Sequence, residues 1–163
     1  MSSSDRRRFL ALVGVLPLAA CGFTPVYGPA GTGGTVRGRV AFAEPDDALA
    51  FDLVSRLEDR IGRTEGGAYL LDYTIRTSRS SLAISETEDI NRINITGTVD
   101  FNVTDATTGA VVQREEVSTF SGYATSGSPI ATAAARRDAE QRLMIALADQ
   151  IVARLLAGAH DWA

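Results

Sequence analysis

Residues 93–104, INITGTVDFNVT, alternate without a break. Ile93, Ile95, Gly97, Val99, Phe101 and Val103 share one parity, and Asn94, Thr96, Thr98, Asp100, Asn102 and Thr104 share the other. Side chains of a strand point to opposite faces with period two, so one face of this strand must be covered while the other stays wet. That pattern suits an antiparallel sheet with a single covered face. The flanking segments extend it. AYLLDYTIRT, residues 68–77, places Tyr69, Leu71, Tyr73 and Ile75 on one face, and the pattern runs on through Leu82 and Ile84. DATTG, 105–109, reads as a hairpin loop closed by Gly, after which AVVQREEVSTFSGYA returns antiparallel. Its alternation is imperfect: Val111 and Val117 share a parity with Gln113 and Glu115, whereas Val112 and Phe120 have the other. A bulge near Glu115 would repair it.

The covered face needs helices, and the chain offers two. Pro45, Asp46 and Asp47 supply a stop and capping groups before Leu49, Leu53, Leu57 and Ile61, which recur every four residues with Val54 flanking; Gly62 suits a C-cap. Ser128-Pro129 reads as N-cap and first residue of a second helix, running to Ala157. Its apolar stripe is Ala135, Ala139, Leu143, Leu147, Ile151 and Leu155, widened by Met144, Ala148 and Val152. Before the first helix, VRGRVAF, 36–42, alternates as a further strand. The order strand, helix, three strands, helix predicts an α+β fold: a mostly antiparallel sheet of about four strands with two amphipathic helices packed on one face.

The first 20 residues read differently. Arg6, Arg7 and Arg8 precede FLALVGVLPLAA, too short for a bilayer span and interrupted by Gly14 and Pro17, and small residues follow at Ala19 and Ala20. This is the layout of an export signal. Leu18-Ala19-Ala20-Cys21 resembles a lipobox, in which cleavage leaves cysteine as the first residue and its thiol carries a diacylglyceryl group. Cys21 is the chain's single cysteine, and lipid attachment would use it, leaving no intramolecular disulfide. The twin arginines leave the Sec and twin-arginine routes both open. The predicted organisation is a signal peptide over 1–20, an acylated N-terminus and flexible linker over 21–35, and one α+β domain over 36–163. Two or three acyl chains make attachment durable. Gly22, where Asp would signal retention in the inner membrane, favours the outer membrane, with the domain facing the periplasm.

Charge and inventory narrow the function. Without its first 20 residues the chain has 13 basic residues, all Arg, against 19 acidic ones, which argues against general nucleic-acid binding. The single histidine, His160, lies near the C-terminus with no second histidine or free cysteine to complete a metal site. Glu115-Glu116 and Asp46-Asp47 are adjacent pairs, placed to diverge on a strand or to cap a helix, and no G-x-S-x-G elbow occurs. Neither an enzyme nor a cofactor is expected.

A lipobox followed at once by CGFTPVYG, a strand, a helix, a meander of strands and the tail SGYATSGSPIATAAARRDAEQRLMIALADQIVARLLA resembles the LPS-assembly lipoprotein family, LptE. Cys21, Gly22, Phe23, Pro25, Val26 and Tyr27 carry the first part of the likeness. Tyr123, Ser128, Ala131, Ala139, Arg142, Leu147, Ala148, Ile151, Arg154 and Leu155 carry the second. The resemblance implies a non-enzymatic outer-membrane lipoprotein that plugs a large β-barrel, the lipopolysaccharide translocon, assists its assembly and binds lipopolysaccharide in transit. A polar sheet face suits a wet barrel lumen. Arg76, Arg79 and Arg92, read as clustered around strand ends, are candidates for lipid A phosphates through their planar forks. The other reading of that segment is an ordinary solvated loop, since Glu86, Glu88 and Asp89 sit beside them. A free-standing lipid-binding lipoprotein, or an accessory of another envelope transport machine, is the alternative function.

Overall fold

The computed structural model describes Gly28 and residues 31–81, 92–125 and 128–163. Three long strands form its frame: β2 (Tyr69–Ser81), β3 (Arg92–Asp105) and β4 (Val111–Ala124). Each pairs antiparallel with the next. A three-residue strand, β1 (Val40–Phe42), adds to the outer side of β2, so the spatial order is β1-β2-β3-β4. Because helix α2 (Ala48–Ile61) intervenes, β1 runs parallel to β2, whereas the other pairings among the described residues are antiparallel.

The alternation of β3 is realised as expected. Ile95, Val99, Phe101 and Val103 are buried beneath the helices, Ile93 packs at the margin, and the Asn and Thr positions lie on the open side. Asp105 closes the β3–β4 turn by accepting from the amides of Thr107 and Thr108, both at 2.8 Å, and Gly109 takes φ 72°.

Helix α3 (Pro129–Gly158) has 30 residues, about 45 Å at 1.5 Å each. Ser128 Oγ accepts from the amide of Ala131, and Pro129 opens the first turn without wasting a donor. Length and composition would let α3 cross a membrane, yet its stripe of Ala139, Leu143, Met144, Leu147, Ala148, Ile151, Val152 and Leu155 is buried in the core. Helix α2 adds Leu53, Val54, Leu57 and Ile61 to that core. Each buried aliphatic side chain contributes about 1.5–3 kcal/mol. Asp47 caps α2 by accepting from the Ala50 amide at 2.7 Å, and Gly62 ends it with φ 95°. The two helices are joined by Arg56, whose Nε and Nη2 donate to the two carboxylate oxygens of Asp149, each at 3.1 Å.

Two local expectations are corrected. The strand read over residues 36–42 begins only at Val40. Ahead of it stands a short helix, α1 (Thr32–Val36), which takes in the end of the stretch read as linker. Val36 is buried in the core, and Gly38 at φ 70° turns the chain into β1, so the apolar spacing of Val36 and Val40 spans a helix end and a strand start. The bulge lies not near Glu115 but at Val112: Val103 pairs with Gln113 and Thr104 with Val111, leaving Val112 unopposed and packed on the core.

Gln113 consequently points inward and is a buried polar residue at the edge of the core. Its Nε2 donates to Glu115 Oε1 (2.7 Å) and to the Arg154 carbonyl (3.0 Å), and its Oε1 accepts from Trp162 Nε1 (3.1 Å). Past α3 a 3-10 turn (Ala159–Asp161) folds the C-terminus back. There Tyr69 Oη donates to the Trp162 carbonyl at 2.5 Å, and the two rings meet edge-on with centroids 4.6 Å apart. The chain's last residues are thereby tied to the first turn of β2.

Candidate functional site

The candidate site is the sheet face that the helices leave open. Even-numbered residues of β2 and β3 face it, joined by Arg114, Glu116, Ser118 and Phe120 of β4. Along one row Ser78, Thr96 and Phe120 lie abreast, and along the next Arg76, Thr98 and Ser118 do. The hydroxyls of Thr98 and Ser118 hydrogen-bond at 3.2 Å. Arg114 Nε donates to Asn102 Oδ1 at 2.7 Å. Arg76 links three strands, pairing with Asp100 of β3 and, at 3.1 Å, with Glu116 of β4. The face is therefore wet, rich in hydroxyls and amides, and internally neutralised where its charges meet. Phe120 is its outlier, 71% exposed amid small polar residues.

The three candidate arginines are not brought together. Arg76 lies on the open face. Arg79 has the opposite parity and points to the helix side, where its Nη2 reaches Glu140 Oε1 of α3 at 3.4 Å; Arg136 approaches the same oxygen at 3.8 Å. Arg92 is exposed at the start of β3, in register with Ala124. It stands six residues from Thr98, the register partner of Arg76, or about 20 Å along the strand. The expected cluster is thus dispersed over two faces, because residues three apart on a strand never share one. Cys21 lies outside the described residues, as do Glu86, Glu88 and Asp89.

Where the chain leaves β1, a cavity of about 270 Å³ opens against β2, lined by Asp46, Asp47, Tyr73, Thr74 and Ile75. Tyr73 Oη sits 3.5 Å from the Ala43 carbonyl. Burial, then the nearby carboxylates of Asp46 and Asp47, push the Tyr73 phenol above its ordinary pKa. His160 is exposed beside Asp161, and among the described residues no group of three or more His, Cys, Asp or Glu side chains is placed to hold a metal ion.

The open face follows from the alternation of the sequence, whereas Gln113 on the covered side and Phe120 on the open one do not. Gln113 was an irregularity of parity, and its role as a buried hub depends on Trp162, 49 residues away. Phe120 carried a signal, its parity with the polar positions of β4, and that parity is what exposes it.

Comparison with known proteins agrees with this architecture. The LptE lipopolysaccharide-assembly family matches residues 36–155. A candidate lipoprotein of Caulobacter crescentus superposes with a TM-score of 0.67 at 22% identity, covering 82% of this chain and 98% of its own. Rare lipoprotein B of Shewanella oneidensis gives 0.55 at 17% identity over 72% of this chain and 92% of its own. Lipoprotein B of Nitrosomonas europaea gives 0.56 at 15% identity over 74% and 83%. No curated protein matches in sequence. The family match spans most of the chain, including every element from β1 to the last buried turn of α3, and the chain therefore belongs to the LptE family of lipopolysaccharide-assembly lipoproteins.

Proposed function

We propose that the mature chain, acylated at Cys21 and facing the periplasm from the outer membrane, plugs a large β-barrel lipopolysaccharide translocon. It assists assembly of that barrel and takes part in inserting lipopolysaccharide into the outer leaflet. The observation that carries this reading is the open sheet face. Three strands of 13 or 14 residues present hydroxyls, amides and paired charges to solvent, a surface suited to a polar, water-filled lumen. Membership of the LptE family supports the same reading. The protein's work is contact, and its polar groups serve recognition.

For lipopolysaccharide itself the geometry ranks the arginines. Arg92, exposed at the far end of the sheet, offers a planar fork for a phosphate. Arg76 is already engaged by Asp100 and Glu116, and Arg79 by Glu140, so each would have to leave a carboxylate to bind one. Replacing Arg92 with Ala is expected to weaken lipopolysaccharide binding several-fold, and replacing Arg79 to leave it nearly unchanged. Equal affinity for the Arg92 variant and the parent removes Arg92 from the site. Depletion of the protein is expected to strip lipopolysaccharide from the cell surface; an unaltered surface would reject the translocon role.

A further inference from the structure

Strand β2 outruns its neighbour on one side. β1 pairs only with Tyr69–Leu71; the Tyr69 amide donates to the Arg39 carbonyl (3.1 Å) and the Leu71 carbonyl accepts from the Ala43 amide (3.0 Å). Odd-numbered residues of β2 therefore direct their backbone groups away from β3. The β2–β3 ladder continues in unbroken register to Ser81 opposite Ile93, while the chain before α2 turns off at Glu44 and Pro45. The amides and carbonyls of Tyr73, Ile75, Thr77, Arg79 and Ser81 thus line an edge about 27 Å long. Among the described residues no backbone hydrogen bond reaches it, and residues 76–81 are exposed on both faces. The opposite edge, on β4, is blunted. It carries the Val112 bulge, and Arg142 Nη2 donates to the Gly122 carbonyl at 3.2 Å.

Charge distinguishes the start of the open edge. Glu44, Asp46 and Asp47 are exposed there, two of them lining the cavity with Tyr73, Thr74 and Ile75. Among the described residues none of the three forms an ion pair, whereas most other carboxylates of the domain's surface do.

We propose that this edge receives an extended strand of the translocon barrel subunit, which continues the sheet in the place β1 vacates and seats a Lys or Arg among Glu44, Asp46 and Asp47. Main-chain bonds to alternate residues give affinity in strand addition, and the acidic cavity sets register. The inference rests on the translocon reading and adds to it the contact surface and the chemistry of the contacting segment.

Thr77→Pro tests it, because the Thr77 amide faces the open edge and takes no part in the β2–β3 ladder, and proline is tolerated on edge strands. The acylated full chain, tagged and purified from native membranes, is expected to recover the barrel tenfold less well as Thr77→Pro and about threefold less well as Glu44→Lys/Asp46→Lys. Thr77→Val should behave as the parent. Melting of each purified chain checks the fold. A folded Thr77→Pro chain with full barrel recovery overturns the inference; if that variant does not fold, full recovery by the Glu44→Lys/Asp46→Lys chain overturns it. Failure of the parent itself to recover a barrel rejects the translocon reading and the inference with it. A dimer that Thr77→Pro abolishes, with barrel recovery unchanged, gives the edge to a second copy and also overturns it.

Discussion

Gly97 lies where β3 passes beneath α3, and a Cβ there would stand 2.8 Å from Leu147 Cδ1 and 3.0 Å from Leu143 Cδ2. In the sequence it is simply the one position without a side chain in an apolar row; only the packed helix explains it. Gly97→Ala is expected to destabilise the fold by about 1–3 kcal/mol in urea unfolding, since the fully buried Leu143 and Leu147 would have to shift to admit the methyl. Asp105 is more legible, because Asp-Ala-Thr-Thr-Gly already reads as a turn. Its carboxyl is held below the ordinary aspartate value by the amide of Thr108 and then that of Thr107. With the folded pKa below the unfolded one, this stabilisation is complete above the unfolded value near 3.8 and is lost as pH falls through the folded value. Carboxyl titration by NMR should place the Asp105 midpoint below 3.8; a midpoint at or above it would contradict the geometry. Arg76 and Arg79 show the limit of reading charges along a chain. Nearness in sequence suggested one cluster, and strand pleating sends them to opposite faces.

Helix α3 was readable from Ser128 to its last apolar turn because cap, proline and four-residue repeat all agree. Ser128→Ala should cost about 1 kcal/mol, the usual worth of an N-cap, measured as a shift in the denaturation midpoint. The three long strands were equally plain. The elements that misled are short: α1 and β1 together cover a stretch whose alternation imitates a single strand, and nothing local reveals that Val36 enters the core from a helix. The bulge at Val112 was displaced in the reading for a related reason. Inward-facing Gln113 breaks the alternation, and it is Trp162 and the Arg154 carbonyl, both remote in sequence, that satisfy it. Deleting residues 159–163 removes the Trp162 indole donor to Gln113 and the carbonyl that accepts from Tyr69. The expected loss is about 2 kcal/mol, a fall in Tm of roughly 4–8 °C. An unchanged Tm would show that this C-terminal closure is dispensable.

Taken whole, the molecule is one sheet with its apolar side under two helices and its polar side open, and that division was legible from the strict alternation of residues 93–104. What one chain cannot encode visibly is its counterpart: in the proposed function the open face and the β2 edge are half-interfaces whose meaning depends on a second protein and a lipid. The proposed function makes those two partners, with acylated Cys21, inseparable in the membrane. Native mass spectrometry of the protein purified from its own outer membrane measures all of this at once. The result predicted is an equimolar complex with a large β-barrel in which this chain begins at Cys21 and carries acyl chains; a chain recovered alone, with its first 20 residues intact and a free thiol, would contradict it.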